Sequence, residues 1–383
     1  SKKIVTSPAR DHGRYWVPTA ACWPFTSHTA TGPVRSSPPW CWRPLLDPSV
    51  RAYGHLLASL LAVEIQTELT PYSIDAPRTV LTIGAYDGVH VGHRQVIAEV
   101  GRLAAERSMV SAVVTFDRHP ASVVRPESAP LLLTDPAQKL EQLATTGVDL
   151  TMVVPFDEVR AMESAEEFVR HVLVDCVGAG LVVVGEDFHF GRQRHGNVDL
   201  LREMGENLGF EVLGLGLVGL DGSLARDHEQ VSSTFIRRAL ARADLKQANA
   251  MLGRPYEVRG VVGGGDQRGR QIGFPTANVR VDPSILLPAD GVYAGWYERP
   301  DGSVHAAAIS LGTRPHFYAD GALLLEAHLL EVGAPSPGGL DLYNEAARVR
   351  FVAYLRDQQT FDDLDALMEQ LHRDVVDTRT ALA

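Results

Sequence analysis

Residues 79–93 read Thr79-Val80-Leu81-Thr82-Ile83-Gly84-Ala85-Tyr86-Asp87-Gly88-Val89-His90-Val91-Gly92-His93. The first five form a buried-strand run that stops at a glycine. Beyond the run, Val96, Ile97, Val100, Leu103 and Ala104 keep helical spacing as far as residue 107. The stretch is therefore strand, glycine turn, helix, and it opens a βα unit.

The same rhythm continues downstream. The spacing predicts a strand at 110–116, a helix at 136–146, a strand at 150–154, a helix at 164–175, a strand at 181–184 ending in Gly185, a helix at 197–208 and a strand at 211–215. Strands alternating with helices predict an α/β, Rossmann-like domain: a parallel sheet with helices on both faces. In such sheets ligands bind beyond the carboxyl ends of the strands, so the two glycine-ended strands are the places to look. Helical segments follow at 234–241 and 245–252. Then the rhythm changes. Short β-rich segments at 256–262, 291–297, 304–311, 323–330 and 349–355 are separated by Gly and Pro. They predict a small antiparallel β-barrel closed by a helix at 362–374. The expected domains are thus 63–250 and 251–383.

Residues 1–62 stand apart. Four of the five tryptophans lie there, and Pro, Ser and Thr interrupt every periodic stretch. This segment is expected to be disordered or a non-native extension, with translation beginning near Val63. It carries seven Lys/Arg against two Asp, so the rest of a chain of net charge −11 sums to −16. Such an acidic body is no general nucleic-acid binder. It must hold anionic ligands with local donors and a metal rather than with its overall field. Cys22, Cys41 and Cys176 show no paired spacing, which suits free thiols in a reducing cytoplasm. No apolar run approaches the roughly 18 residues that a membrane helix needs. A cytoplasmic protein without membrane or nucleic-acid partners is expected, with at most weak homo-oligomers.

Two constellations carry chemistry. In the first, His90 and His93 flank Gly92 where a helix begins and backbone amides favour an anion. Imidazolium donors there would suit the charge that builds on an α-phosphate under in-line attack. Further on, Val231-Ser232-Ser233-Thr234-Phe235-Ile236-Arg237 places three hydroxyls before a helix and an arginine on its first turn. Taken alone this is an ordinary N-cap; in context the hydroxyls and Arg237 could bind phosphate oxygens.

Together, Asp87-Gly88-Val89-His90-Val91-Gly92-His93 and Ser232-Ser233-Thr234-Phe235-Ile236-Arg237 resemble the nucleotidyltransferase superfamily related to class I tRNA synthetases. With Phe116-Asp117-Arg118-His119-Pro120 and Gly185-Glu186-Asp187-Phe188-His189-Phe190-Gly191, the chain resembles the bacterial bifunctional riboflavin kinase/FAD synthetases over roughly residues 64–380. The resemblance implies that the first domain transfers AMP from ATP to FMN, giving FAD and pyrophosphate. It implies that His90 and His93 contact the ATP phosphates within a loop comprising Gly84, Tyr86, Asp87, Gly88 and Gly92. Ser232, Ser233, Thr234 and Arg237 would clamp those phosphates. His119, Pro120, Asp187, Phe188 and Gly191 would help form the flavin and nucleotide pocket. His119 before proline also fits a plain loop cap. Ala85 departs from the Asn or Val common in the family.

The second constellation is Gly269-Arg270-Gln271-Ile272-Gly273-Phe274-Pro275-Thr276-Ala277-Asn278, after Gly263-Gly264-Gly265-Asp266. Glycine-rich turns let backbone amides cradle phosphates, although no G-x-x-x-x-G-K-[ST] loop is present. Thr276 and Asn278 offer two neutral oxygens on one side of extended backbone, able to address one Mg²⁺. Alone, the pair would pass for surface polarity on an edge strand. In Leu325-Glu326-Ala327-His328-Leu329-Leu330, Glu326 is a carboxylate among apolar neighbours. It is either a base for a primary alcohol or a surface residue of the barrel. These runs, with Gly291-Val292-Tyr293-Ala294-Gly295 and the pattern ending at Arg356, resemble the riboflavin kinase module. By that resemblance Thr276 and Asn278 bind Mg²⁺ and ATP, and Glu326 is the base toward the ribityl 5′-hydroxyl. Gly265, Gly269, Arg270, Gly273, Phe274, Pro275 and Arg356 contribute to the ATP and flavin site. Ser310, His316 and Gly264 depart from the family pattern. The expected activity is riboflavin to FMN to FAD, with ATP as co-substrate in both steps. A single active domain, or a non-enzymatic flavin-binding regulator, would be the alternatives; phosphate-clamp motifs in both halves argue against the regulator.

Overall fold

Buried β-branched runs and the helices between them set the architecture. The computed structural model describes residues 63–216, 231–264, 272–313, 323–330 and 341–383. Residues 1–62, Gly265, Gly269, Arg270 and the stretch 314–317, which includes His316, lie outside the described residues. The first described strand, β1 (Glu64–Gln66), is short. It is followed by β2 (Thr79–Ile83), buried at all five positions. Helix α1 (Val91–Arg107) buries Ile97, Val100, Leu103 and Ala104. Then come β3 (Val110–Phe116), α2 (Pro120–Val124), α3 (Pro136–Ala144), β4 (Leu150–Val154), α4 (Glu158–Ala161), α5 (Ala165–Phe168), β5 (Ala179–Gly185), α6 (Val198–Leu208) and β6 (Glu211–Leu215).

These six strands pair in parallel in the order β1-β4-β3-β2-β5-β6. The chain steps from β2 out to β3 and β4, then returns to lay β5 on the other side of β2. The two glycine-ended strands are therefore neighbours at the switch point where such sheets bind ligands. One expected element differs: the helix at 164–175 is α5 continued by a π-turn over Val169–Val174. Hydrophobic spacing does not separate these two helical windings.

Helices α7 (Ser233–Leu240) and α8 (Leu245–Leu252) lead to the second layer. There β7 (Tyr256–Gly263), β8 (Ala277–Val281), β9 (Gly291–Glu298), β10 (Val304–Thr313), β11 (Leu323–Leu329) and β12 (Ala346–Arg356) close an antiparallel barrel in the order β10-β11-β8-β7-β12-β9. Helix α9 (Leu364–Leu382) packs on β9, β10 and β12. It runs past the expected end at 374 because its buried positions, Asp374 and Thr378, lie in that second half.

Sheet domain and barrel share a core. Leu133, Ile236, Leu240, Leu245 and Leu252 cluster with Tyr256, Tyr293, Ile309, Leu325 and Phe351. Glu141 of α3 accepts two hydrogen bonds each from Arg259 and Arg348 of the barrel. A parallel bridge joins Leu132 to Ile285.

Candidate active sites

Asp87, in the turn after β2, is the hub of the first site. Its buried carboxylate accepts from the Leu133 amide at 2.9 and 3.1 Å, from the Thr134 amide at 3.2 Å and hydroxyl at 3.3 Å, and from Arg237 Nη2. Its carbonyl accepts from Ser233 Oγ at 2.9 Å. The Gly88 amide donates to Thr134 Oγ1 at 3.2 Å. The two motifs the sequence separates by 150 positions thus meet at one residue. Arg237 is anchored here, with Nε also donating to the Leu131 carbonyl at 2.7 Å. A salt link to Asp87 was not foreseen for a residue expected to face phosphate. Ser232 caps α7 by accepting from the Phe235 amide at 3.3 Å. Thr234 is exposed.

The turn itself is strained. Tyr86 and Val89 adopt φ of 50° and 37°, beside Gly88 at 84°. Left-handed backbone costs a non-glycine residue on the order of 1–3 kcal/mol, and a β-branched valine is a clear outlier there. The Tyr86 hydroxyl donates to Thr82 Oγ1 at 2.9 Å, which fixes its ring under Gly84. His90 caps α1: its Nδ1 accepts from the His93 amide at 3.3 Å. The His90 and His93 rings stack with centroids 3.5 Å apart. Gly92 keeps this start of α1 open, since a Cβ there would lie 3.3 Å from His90 Nδ1 and 3.6 Å from the Val231 carbonyl.

Burial disfavours the charged form of both rings. Burial pushes His90 down to about 3, and the charges of Arg254 and Arg237 add to that. Burial, then His90, holds His93 well below the usual range. Two rings at stacking distance in a buried turn cannot both be cations without a compensating anion.

Across the switch point, His119 caps α2 through its Nδ1, which accepts from the Ala121 amide at 3.1 Å, with Pro120 at the first turn. Burial lowers its pKa while the nearby Asp87 opposes the shift. Phe188 and Phe190 stack at 5.4 Å, and Phe190 continues to Phe168, Phe116 and Phe156 at 6.1, 6.4 and 5.3 Å. This aromatic row links the ends of β5, β3 and β4. Asp187 and Gly191 are exposed at its margin, and His189 Nδ1 bonds the Asp187 carbonyl at 2.7 Å.

The second site lies on the outer face of the barrel. Asn278 of β8 stands opposite Glu326 of β11, and Glu326 opposite Ser310 of β10. Directly opposed residues share a face. Asn278, Glu326 and Ser310 therefore form one row across three strands, alternating with the interior residues Ala277, Leu325, Ala327, Ile309 and Leu311. Thr276, just before β8, is exposed on the same side as Asn278, with buried Ala277 between them. Ser310 Oγ accepts from Gln358 Nε2 at 2.9 Å. Gly273 is exposed. Phe274 packs between His328 and His372, centroids 5.0 and 5.1 Å away, and His328 Nδ1 donates to the Pro275 carbonyl at 2.9 Å. Arg356 grips the buried Asp374 of α9 with two bonds of 2.8 and 2.7 Å. A Cβ on Gly264 would meet nothing within 4 Å, so a larger residue would fit there. Among the described residues no cluster of three or more His, Cys, Asp or Glu could hold a metal, and no helix is long and apolar enough to cross a membrane.

The FAD synthetase family model matches residues 73–235 and the riboflavin kinase model residues 252–382. The bifunctional riboflavin kinase/FMN adenylyltransferase of Pseudomonas fluorescens is 38% identical over 79% of this chain and 93% of its own length. That of Listeria monocytogenes is 35% identical over 79% and 92%, and that of Escherichia coli K12 is 36% identical over 78% and 91%. The chain belongs to the bifunctional riboflavin kinase/FMN adenylyltransferase family. It is an enzyme that phosphorylates riboflavin to FMN and adenylylates FMN to FAD, with ATP as the second substrate of each step. A solved structure titled a macrolide-efflux protein from Streptococcus pneumoniae superposes with a TM-score of 0.70 at 28% identity, over 82% of this chain and 98% of that one.

Three side chains of the first site escaped the sequence reading. Thr134 joins Gly88 to Asp87. Lys139 is buried on α3, donates to the Phe116 carbonyl at 2.6 Å, and is lowered to about 8 by burial against the pull of Asp87 and Asp117. Arg254 donates to the Gly88 carbonyl at 2.7 Å. Only Lys139 left a trace in the sequence, a cation directly beside the core positions Leu140 and Leu143.

Proposed function

We propose that the enzyme's two reactions run at two separate sites, one in residues 63–250 and one in 251–383. The convergence of two motifs on Asp87 in the turn of the stacked histidines is the observation that carries this reading.

In the adenylyl site, His90, His93 and the first amides of α1 receive the ATP phosphates, with Ser232, Ser233, Thr234 and Arg237 beside them. An incoming polyphosphate supplies the negative charge that the neutral histidines lack. Their pKa values then rise and the rings become better donors to the charge that develops. An FMN phosphate oxygen attacks the α-phosphorus, the bond to the bridging oxygen breaks, and pyrophosphate leaves. The aromatic row from Phe188 to Phe156 suits a flat ring system, with His119, Pro120, Asp187 and Gly191 at its edges.

In the kinase site, Glu326 takes the proton of the ribityl 5′-hydroxyl while that oxygen attacks the γ-phosphorus and ADP leaves. Thr276 and Asn278 are the residues that would hold Mg²⁺. Neutral oxygens suit a hard cation whose remaining ligands are phosphates and water, and Mg²⁺ so held would neutralise phosphate charge. Gly265, Gly269, Arg270, Gly273, Phe274 and Pro275 would line the nucleotide and flavin. A cytoplasmic location fits substrates of this kind.

The test is a crossover followed by separating the flavins over time. His93→Ala should lower FAD formation by roughly 10²–10³-fold while FMN accumulates. Glu326→Gln should lower FMN formation by roughly 10²–10⁴-fold while added FMN is still adenylylated. If either variant slows both steps equally, the two-site assignment fails.

A further inference from the structure

The strained turn after β2 is held from the barrel side. Arg254 donates to the Gly88 carbonyl at 2.7 Å and the Val89 carbonyl at 3.3 Å, and also to its neighbour's carbonyl at Leu252. It arrives there through the end of α8. Gly253 adopts φ of 70°, and a Cβ on it would come within 2.9 Å of Val91 at the start of α1. The Arg254 amide then bonds back to the Asn249 carbonyl at 3.2 Å before the chain enters β7. Arg254 thus lies within the stretch matched by the riboflavin kinase family but reaches into the turn of the FAD synthetase stretch.

Its charge is equally placed. Arg237 is offset by Asp87. Among the described residues, Arg254 bonds only carbonyls, and its cationic neighbour Arg94 bonds only Thr145 and Gln142. The carboxylate that acts most on Arg254, Glu257, is itself bonded by Arg259 and Arg350. Two guanidiniums without a carboxylate partner therefore lie behind the turn, in a chain of net charge −11. An anion on the other side of the turn would offset them.

We propose that Arg254 is a positioning residue for adenylyl transfer: it clamps the Gly88 and Val89 carbonyls in the strained turn and gives that turn a partly buried positive charge toward the nucleotide phosphates. The inference rests on reading residues 84–93 as the phosphate site. It makes adenylyl transfer depend on a side chain from the junction with the kinase barrel.

The experiment uses the full chain and both half-reactions. Arg254→Met should lower kcat for FMN adenylylation by roughly 10–100-fold, the scale of a slight misplacement of reacting groups, and raise KM for ATP. The kinase kcat and KM should stay within about twofold. Arg254→Lys restores the charge but not the fork that spans two carbonyls; KM for ATP should recover while kcat stays low. The His90 ring, followed by NMR, should titrate at higher pH in Arg254→Met than in the parent, because one repelling charge is gone. Unchanged adenylylation kinetics in Arg254→Met, or a parallel fall in both activities, would overturn the proposal. Should that variant not fold, Arg254→Lys decides alone: lowered kcat with ATP KM kept supports the clamp, and parental values for both overturn it. His93→Ala run alongside separates the two readings. If it leaves adenylylation intact, the phosphate site is misplaced; if it abolishes adenylylation and Arg254→Met does not, only the role of Arg254 falls.

Discussion

The two sites hold their polar groups by different means. Around Asp87, side chains hold one another: a buried carboxylate receives amides, a hydroxyl and a guanidinium, and two rings stack in the same turn. On the barrel, the backbone ladder does that work. Asn278, Glu326 and Ser310 stand in register because β8, β11 and β10 pair, and Ser310 also accepts from Gln358. Losing a group from the first site should therefore damage fold and chemistry together. Losing one from the second should damage the chemistry more than the fold.

The largest expected difference comes from Asp87→Asn. It leaves the guanidinium of Arg237, 16% exposed, without its counter-ion, and breaking a buried pair from one side costs about 3–5 kcal/mol. Denaturant unfolding of the full chain should show that loss, whereas Glu326→Gln should stay within about 0.5 kcal/mol of the parent. Equal losses in the two variants would erase the contrast.

Acid should sharpen the comparison next. His90 titrates at about 3 when folded, below its ordinary 6.5. Above pH 6.5 it is neutral folded or unfolded and contributes no pH dependence. As pH falls below 6.5 the unfolded chain takes up the proton first, so stability falls, by up to about 1.4 kcal/mol per pH unit. Between pH 7 and 5 this single ring should account for about 2 kcal/mol. His90→Asn keeps an N-capping acceptor, an amide oxygen in place of the ring nitrogen, but has nothing to titrate. Its stability loss over that interval should be smaller than the parent's by the same amount, and an identical loss would show that the ring is not buried neutral.

The same division explains what the sequence disclosed. Strands β2 to β5 were legible because each is a largely apolar run rich in β-branched residues, and β6 because it repeats the same alternation after a helix. The histidine turn stood out because its motif is concentrated in a few consecutive residues. Strand β8 was legible only as extended backbone at Thr276 to Asn278, since Gly273 and Pro275 before it have the composition of a loop. The partners of Asp87 were not legible either. Leu133, Thr134 and Arg237 lie 46, 47 and 150 positions away, and no local periodicity encodes a contact made by folding. Arg254 was hidden for the same reason, in a turn that reads as a helix end.

Arg356 offers the smallest and most discriminating effect. The family resemblance implies a residue of the ATP and flavin site, whereas in the fold both of its terminal bonds to a carboxylate go to Asp374, which is 3% exposed, while Gln370 donates to the same carboxylate at 2.9 Å. A guanidinium committed in this way ties α9 to the end of β12. Lysine can satisfy one oxygen but not the two-pronged geometry, so Arg356→Lys should cost about 1 kcal/mol of stability and leave the kinase KM for ATP and riboflavin unchanged. Raised KM values at unchanged stability would make Arg356 a ligand instead. The barrel site would then also depend on side-chain anchoring, and the distinction between a site held by its side chains and one held by its strands would no longer stand.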